Sequence, residues 1–232
     1  MTYVFDHLAP PAVPVQNSSK LFAVRRIYCV GRNYEAHARE MGHDPDREPP
    51  FFFSKPADSV LYVAQGATGE FAYPPQTGNL HYEMELVAAI GKRGKDIPTD
   101  KSLNYVYGYA LGLDMTRRDL QAEAKKLGRP WDTAKGFDHS APIGPIHPVS
   151  TVGHLHDSSI WLTVNDTEKQ RARVAEMIWS VGETISHLST LFELYPGDLI
   201  FTGTPDGVGA VEKGDMLKGG VDGLGELSIR VV

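Results

Sequence analysis

Glu83 and Glu85 are the side chains from which the chemistry of this chain can first be read. They sit in His81-Tyr82-Glu83-Met84-Glu85-Leu86-Val87-Ala88-Ala89-Ile90, a stretch with strand character. Side chains alternate between the faces of a strand, so both carboxylates point the same way, roughly 7 Å apart along the chain. Two carboxylates held that close repel each other and lose solvation unless a cation or a shared proton compensates. A hard divalent cation, Mg²⁺ or Mn²⁺, would do so by taking oxygen ligands. A third carboxylate is then expected, and Asp114, which ends the strand-like run Val106-Tyr107-Gly108-Tyr109-Ala110-Leu111-Gly112-Leu113, is the candidate. A solvated strand face carrying Glu-x-Glu is the alternative that these residues alone leave open.

A second constellation is His37 and Glu40. Asn33 reads as the N-cap of a short helix over Tyr34 to Met41 that Gly42 ends. Three positions apart, His37 and Glu40 then share a face, and the carboxylate can hydrogen-bond and orient the imidazole as a general base requires. The same spacing also fits a surface ion pair of little energetic weight. The polar, proline-bearing stretch that follows makes Tyr34 to Pro50 a candidate lid.

Further residues stand near these two constellations. Thr116 and Asp119 predict a capping box opening a helix that runs to Leu127 and ends at Gly128, with Leu120, Ala124 and Leu127 as its apolar stripe. Asp114 then precedes a helix N-terminus, and Arg118 and Gln121 in its first turns could face an anionic ligand. Lys135 lies in the irregular run Trp131 to Asp138, and Lys55 follows the buried aromatic strand Phe51-Phe52-Phe53. Either lysine reaches a site or ends in water. Thr202-Gly203-Thr204-Pro205-Asp206-Gly207-Val208-Gly209 offers backbone and hydroxyl donors suited to a carboxylate or oxyanion, as an ordinary strand-joining loop also would.

The elements that must position these residues are mostly strands. Val24 to Val30, Val60 to Val63, Ile160 to Val164, Leu199 to Phe201 and Gly225 to Val232 have strand character, with Asn165-Asp166 as a turn. A helix is expected from about Gly182 to Tyr195, with Ile185, Leu188, Leu191 and Phe192 inward. Many short strands with about three helices predict a β-rich α+β fold rather than a doubly wound sheet. Pro10, Pro11 and Pro14 mark residues 1–23 as an accessory arm before a domain spanning 24–232.

Composition narrows the function classes. The 232 residues carry a net charge of −6 and no basic tract with interleaved aromatics, which argues against a nucleic-acid partner. The single cysteine, Cys29, lies in an apolar run and cannot form an intramolecular disulfide. No segment approaches the length of a membrane span and no leader pattern opens the chain, so a cytoplasmic protein is expected.

Taken together, Gly31-Arg32-Asn33-Tyr34 with His37 and Glu40, His81 to Leu86, Gly112-Leu113-Asp114-Met115-Thr116, Lys135-Gly136-Phe137-Asp138 and Thr202 to Gly209 resemble the fumarylacetoacetate hydrolase family. The resemblance covers roughly Val24 to Val232. Within the family, the arm and the run Asp44 to Phe53 are similar to acylpyruvate hydrolases, notably those cleaving fumarylpyruvate in gentisate breakdown. It implies a mixed β-roll fold, usually a homodimer, with Mg²⁺ or Mn²⁺ on Glu83, Glu85 and Asp114. It also implies a catalytic His37–Glu40 dyad with Lys135 beside it, and none of the six positions departs from the family pattern. The expected reaction is hydrolysis of 3-fumarylpyruvate, a small 2-oxo acid, to fumarate and pyruvate. Arg32, Arg118, Gln121 and Thr204 would bind substrate. Oxaloacetate decarboxylation or tautomerisation and hydroxymuconate isomerisation are alternatives on the same scaffold, and a non-catalytic metal- or carboxylate-binding protein is a remote one.

Overall fold

The structure is a computed structural model that describes residue 4, residues 9–40, residue 42 and residues 48–232. Its centre is the strand Met84–Ile90, all seven residues of which are buried. Leu86, Ala88 and Ile90 enter one hydrophobic cluster, whereas Val87 and Ala89 enter another on the opposite face. A strand covered on both sides has no polar face, which explains the unbroken apolar run after Glu85.

Around it lies a mixed sheet in the order Phe51–Lys55, Arg26–Gly31, Asp198–Phe201, Met84–Ile90, Val106–Leu113, Ala141–Ile143 and Val60–Tyr62, with His147–Pro148 also paired to Val106–Leu113. A five-stranded sheet runs Thr167–Arg173, Ser159–Val164, Met216–Val221, Gly225–Val231 and Thr68–Phe71. Its Ile160, Leu162, Leu217 and Ile229 share a core with Leu86, Leu111 and Leu113. The other face of the main sheet is covered in part by the hairpin of Ala12–Pro14 with Leu21–Ala23, which contributes Val13 and Phe22. A small sheet of Thr116–Arg117, Leu80–Tyr82 and Gly209–Val211 carries the chain into the acidic segment. The fold is therefore the β-rich α+β arrangement that the strand punctuation predicts. Among the described residues, no helix is long and apolar enough to cross a membrane.

Several local expectations change. The helix Arg118–Leu127 ends at Gly128 in the left-handed conformation, as expected, but no Thr116 capping box opens it. Thr116 is in a strand and donates its hydroxyl to the Asp114 carbonyl, while Asp119 accepts from Thr77, Gly78 and Leu120. The buried positions of that helix are Gln121 and Ala124, and Leu127 is exposed. The later helix spans Val181–Leu191 and does have a capping box, made by Ser180 and Glu183. Ile185 and Leu188 point inward, but Leu191 and Phe192 are exposed because the helix stops before the next turn is covered. The strand Phe51–Lys55 is fully buried only at Lys55: Phe51 is exposed, and Phe52 and Phe53 are half-buried against the two cores. Asn165 and Asp166 both take positive φ in the tight turn between Ser159–Val164 and Thr167–Arg173. The expected lid falls in part on residue 41 and residues 43–47, outside the described residues, as does most of the first part of the arm.

Asn33 is not a helix cap. Its amide donates to the carbonyls of Trp179, at 2.9 Å, and Thr202, at 2.7 Å, and its oxygen accepts from the Trp179 N–H at 2.8 Å. Fully buried, it ties the turn before Glu35–Glu40 to two segments far away in sequence. Gly203, at φ +98°, lets this close approach happen, since a Cβ there would lie 2.7 Å from that of Asn33. Truncation would remove three hydrogen bonds at once, among them the one that satisfies the buried Thr202 carbonyl. Asn33→Ala is therefore expected to lower stability by about 2–4 kcal/mol, read as a shift of the urea midpoint. An unchanged midpoint would show that this tether carries no weight.

Candidate active site

The site begins where the main sheet meets the small one. Glu83 sits at the break between Leu80–Tyr82 and Met84–Ile90, and its carbonyl accepts from the Asp114 N–H at 2.8 Å. Neighbouring Leu113 pairs with Met84, so Asp114 leaves the end of its strand beside Glu83. Glu83, Glu85 and Asp114 thus converge, each offering a carboxylate oxygen within 4.8 Å of the others. All three are buried, at 5 %, 2 % and 0 % exposure, which removes the solvated-face alternative.

The three carboxylates differ in their partners. Glu83 receives Arg118 at 2.5 Å and Lys135 at 2.6 Å. Burial would raise its pKa, but those two cations hold it well below the usual carboxylate range. Asp114 faces Lys135 and Lys55, each at 2.8 Å. Its Oδ1, the oxygen nearer Lys55, is nevertheless without a hydrogen-bond partner of acceptable geometry. Glu85 has no cationic partner among the described residues. It accepts the Gly203 N–H at 2.7 Å, and burial together with the Asp114 and Glu83 charges pushes its pKa well up.

This donor set fits a divalent ion. Three oxygen ligands point at one volume, and Glu85 carries a repulsion that a shared cation would relieve.

His37 and Glu40 also come together. On the helix Glu35–Glu40, His37 Nδ1 lies 3.1 Å from Glu40 Oε2. His37 is buried, and Glu40 also accepts the Gly207 N–H at 3.2 Å. Burial acts to raise the Glu40 pKa, but the bonds from His37 and Gly207 keep it below the usual range. The pair is thus anchored to the Thr202–Gly209 loop rather than standing free on a surface, and His37 lines the same cavity as Glu83 and Glu85.

The remaining expected residues are distributed as follows. Lys135 is on a short helix, Asp132–Lys135, not in an irregular run, and its ammonium is engaged by Glu83 and Asp114. Two buried carboxylates outweigh the effect of burial and raise its pKa. Arg118 lines the cavity, but all its nitrogens have protein partners: Glu83, Gln121 at 2.6 Å and His81 at 3.4 Å. It positions Glu83 and Gln121. Gln121 gives its carbonyl end to Arg118, which leaves the amide NH₂ as its donor toward the cavity. Thr204 lines the cavity with its hydroxyl oxygen accepting from Gln170 at 2.9 Å, and Arg32, at φ +58°, lines it as well.

Four contributors are absent from the sequence reading or left open by it. Lys55 is buried in the site, donating to the Met115 carbonyl and to that of Lys135. His81 supports Arg118, and burial with that guanidinium pushes its pKa down to about 4. Gln170 accepts from the Met84 N–H at 3.0 Å and donates to Thr204 and Pro205, joining the acidic strand to the donor loop. Lys125 lines the cavity one helical turn beyond Gln121, a spacing that was legible in the sequence.

Comparison with known proteins agrees with this constellation. Residues 26–232 match the family described as Fumarylacetoacetate (FAA) hydrolase C-terminal. A crystal structure of fumarylpyruvate hydrolase from Pseudomonas aeruginosa, in complex with Mn²⁺ and pyruvate, is similar at 60% identity and a TM-score of 0.98. That likeness covers 100% of this chain and 99% of the other. A fumarylpyruvate hydrolase of a Ralstonia species is 48% identical over 193 residues, 82% of this chain and 98% of that protein. A mitochondrial oxaloacetate tautomerase of Arabidopsis thaliana is 42% identical over 206 residues, 89% of this chain and 90% of that protein. A likeness that takes in both sheets, the acidic convergence and the donor loop settles the lineage: the chain belongs to the fumarylacetoacetate hydrolase family.

Proposed function

We propose that this protein hydrolyses the carbon–carbon bond of an acylpyruvate, converting 3-fumarylpyruvate to fumarate and pyruvate. The observation that carries the reading is the meeting, at one cavity, of a three-carboxylate cluster with the buried His37, whose ring Glu40 holds from the outer side. Similarity to a fumarylpyruvate hydrolase that binds Mn²⁺ and pyruvate supports the choice of substrate. Glu83, Glu85 and Asp114 hold Mg²⁺ or Mn²⁺, which when bound supplies Lewis-acid polarisation of the pyruvyl oxygens and stabilisation of charge on the departing carbon.

His37 gives its Nδ1 side to Glu40, leaving Nε2 to take a proton from water. The water oxygen bonds to the acyl carbonyl carbon, and the bond from that carbon to the pyruvyl methylene breaks. The electron pair leaves with the pyruvyl fragment, and the proton held by His37 returns to its methylene carbon to give pyruvate. Negative charge gathering on the acyl oxygen meets the Gln121 amide and the Thr204 hydroxyl, both buried at the cavity wall. Lys135 and Arg118 act by keeping Glu83 ionised and in place. Arg32, which also lines the cavity, contacts the substrate. The reading takes with it a catalytic domain over residues 24–232, an accessory arm before it, and the homodimer and cytoplasmic setting that the family resemblance implies.

A second reading, tautomerisation or decarboxylation of oxaloacetate, draws on the 42% identity to an oxaloacetate tautomerase. Those reactions have no use for an activated water, and the anchored His37–Glu40 pair favours hydrolysis.

His37→Ala is expected to lower kcat on fumarylpyruvate about 10²- to 10⁴-fold while leaving metal affinity in place. Near wild-type turnover with Mg²⁺ or Mn²⁺ supplied would remove His37 as the base. Glu85→Gln should weaken Mn²⁺ binding at least tenfold by titration calorimetry, and unchanged binding would count against the triad. In a panel of fumarylpyruvate, acetylpyruvate, oxaloacetate and fumarylacetoacetate compared by kcat/KM, fumarylpyruvate should lead. Oxaloacetate in first place would replace the proposed substrate.

A further inference from the structure

The helix Arg118–Leu127 turns Arg118, Gln121 and Lys125 toward the cavity at i, i+3 and i+7. The first two are bonded to one another, as described above. Lys125 is different. As a residue it is exposed, yet its ammonium lies 5.1 Å from the centre of the Trp131 ring. The Arg32 guanidinium lies 5.8 Å from the centre of the Phe51 ring. Phe51 and Trp131 meet edge to face at 5.0 Å, and Phe53 packs on both. A single aromatic wall therefore carries one cation over each of two rings at the mouth of the site. Among the described residues, neither cation is ion-paired with a carboxylate.

This placement is costly without a ligand. Arg32 holds a left-handed backbone that L side chains rarely adopt, fixed by the tethered Asn33 beside it. Burial and the neighbouring Arg118 and Arg32 charges lower the Lys125 pKa, so like charges crowd this wall. An anion seated between them would relieve that repulsion, and a flat conjugated chain would lie well against the rings of Phe53 and Trp131.

We propose that Lys125 and Arg32, seated on Trp131 and Phe51, form a subsite for a carboxylate at the far end of the acyl group, so that the enzyme selects acylpyruvates whose acyl chain ends in an anion. The inference rests on the hydrolase reading above and adds its specificity. A neutral acyl chain would cover two cations without pairing them, which disfavours it as much as the pairing favours the dianion. Both residues determine specificity and neither acts on the bond that breaks.

The test compares substrates and also reads binding alone. Lys125→Met should lower the ratio of kcat/KM for fumarylpyruvate over acetylpyruvate by about 10- to 100-fold, mainly through KM, with much of it restored in Lys125→Arg. Arg32→Asn, chosen because Asn tolerates the left-handed backbone, should move the ratio the same way. Parallel losses on both substrates, or a constant ratio, would overturn the proposal. Calorimetry with fumarate and crotonate, acids of like shape that differ in the far carboxylate, probes the contact without turnover. Wild type should prefer fumarate, and Lys125→Met should lose that preference. If wild type cleaved neither acylpyruvate but Lys125→Met still lost the preference, the hydrolase reading would fail and the subsite would stand. Equal fumarate preference in both proteins would defeat the subsite itself.

Discussion

Mutual repulsion among three buried carboxylates is the constraint on which the rest of this structure depends. Glu83, Glu85 and Asp114 are brought within reach of one another in a region with almost no solvent access. Such an arrangement is unfavourable unless opposite charge is supplied in the right place. The protein supplies part of it with Arg118, Lys135 and Lys55, all directed at Glu83 or Asp114. Glu85 is left with a backbone N–H from Gly203 as its hydrogen-bond donor. The imbalance is local, and it singles out the volume between the three carboxylates as the place where a further cation belongs.

The scaffold answers this constraint by being rigid where the acids emerge. Met84–Ile90 is packed on both faces, and Gly112, opposite Glu85, permits Phe201 and Val87 to approach where a Cβ would stand 2.5 Å and 2.6 Å from them. The next segment after Phe201 is the donor loop. Its Thr202 bonds to Leu86, its Gly203 to Glu85, and its Gly207 to Glu40. One loop thereby holds a member of the acidic cluster and the carboxylate of the His37–Glu40 pair at once. Asn33 closes the circuit by fastening the start of the histidine helix to that loop. Acid–base chemistry and metal chemistry are coupled by backbone hydrogen bonds more than by side-chain contacts between them.

Charge on the cavity walls is sorted by depth. Deep cations are consumed by the acidic cluster, whereas Lys125 and Arg32 at the mouth rest on aromatic rings. Aromatic faces hold a cation without neutralising it, so these two keep their charge for an incoming anion. That difference gives the two ends of the cavity separate tasks although both are rich in positive charge. It also gives a reason for the exposure of Phe51 on a strand whose other two rings are half-buried.

Periodicity in the sequence was enough to turn Glu83 and Glu85 toward one volume, although Glu83 lies in the break between two strands, and to set His37 and Glu40 together on a helix and a helix end at Gly128. Those are local facts, fixed by the geometry of neighbouring residues, and five motifs in order pointed to the family. Asn33 and Thr116 misled for the same local reason: each has the right type for a cap, but distant carbonyl groups or a strand claimed it first. Leu191 and Phe192 fit an apolar stripe that is covered only in part, by the Tyr28 ring against Phe192. Which cation serves which carboxylate, why Glu85 has none, and how Lys125 and Arg32 come to share one aromatic wall were decided only by tertiary structure. Spacing along a chain reports direction from the backbone, whereas an ion pair depends on the distance between side chains carried by separate elements. Burial then determines how much that distance matters.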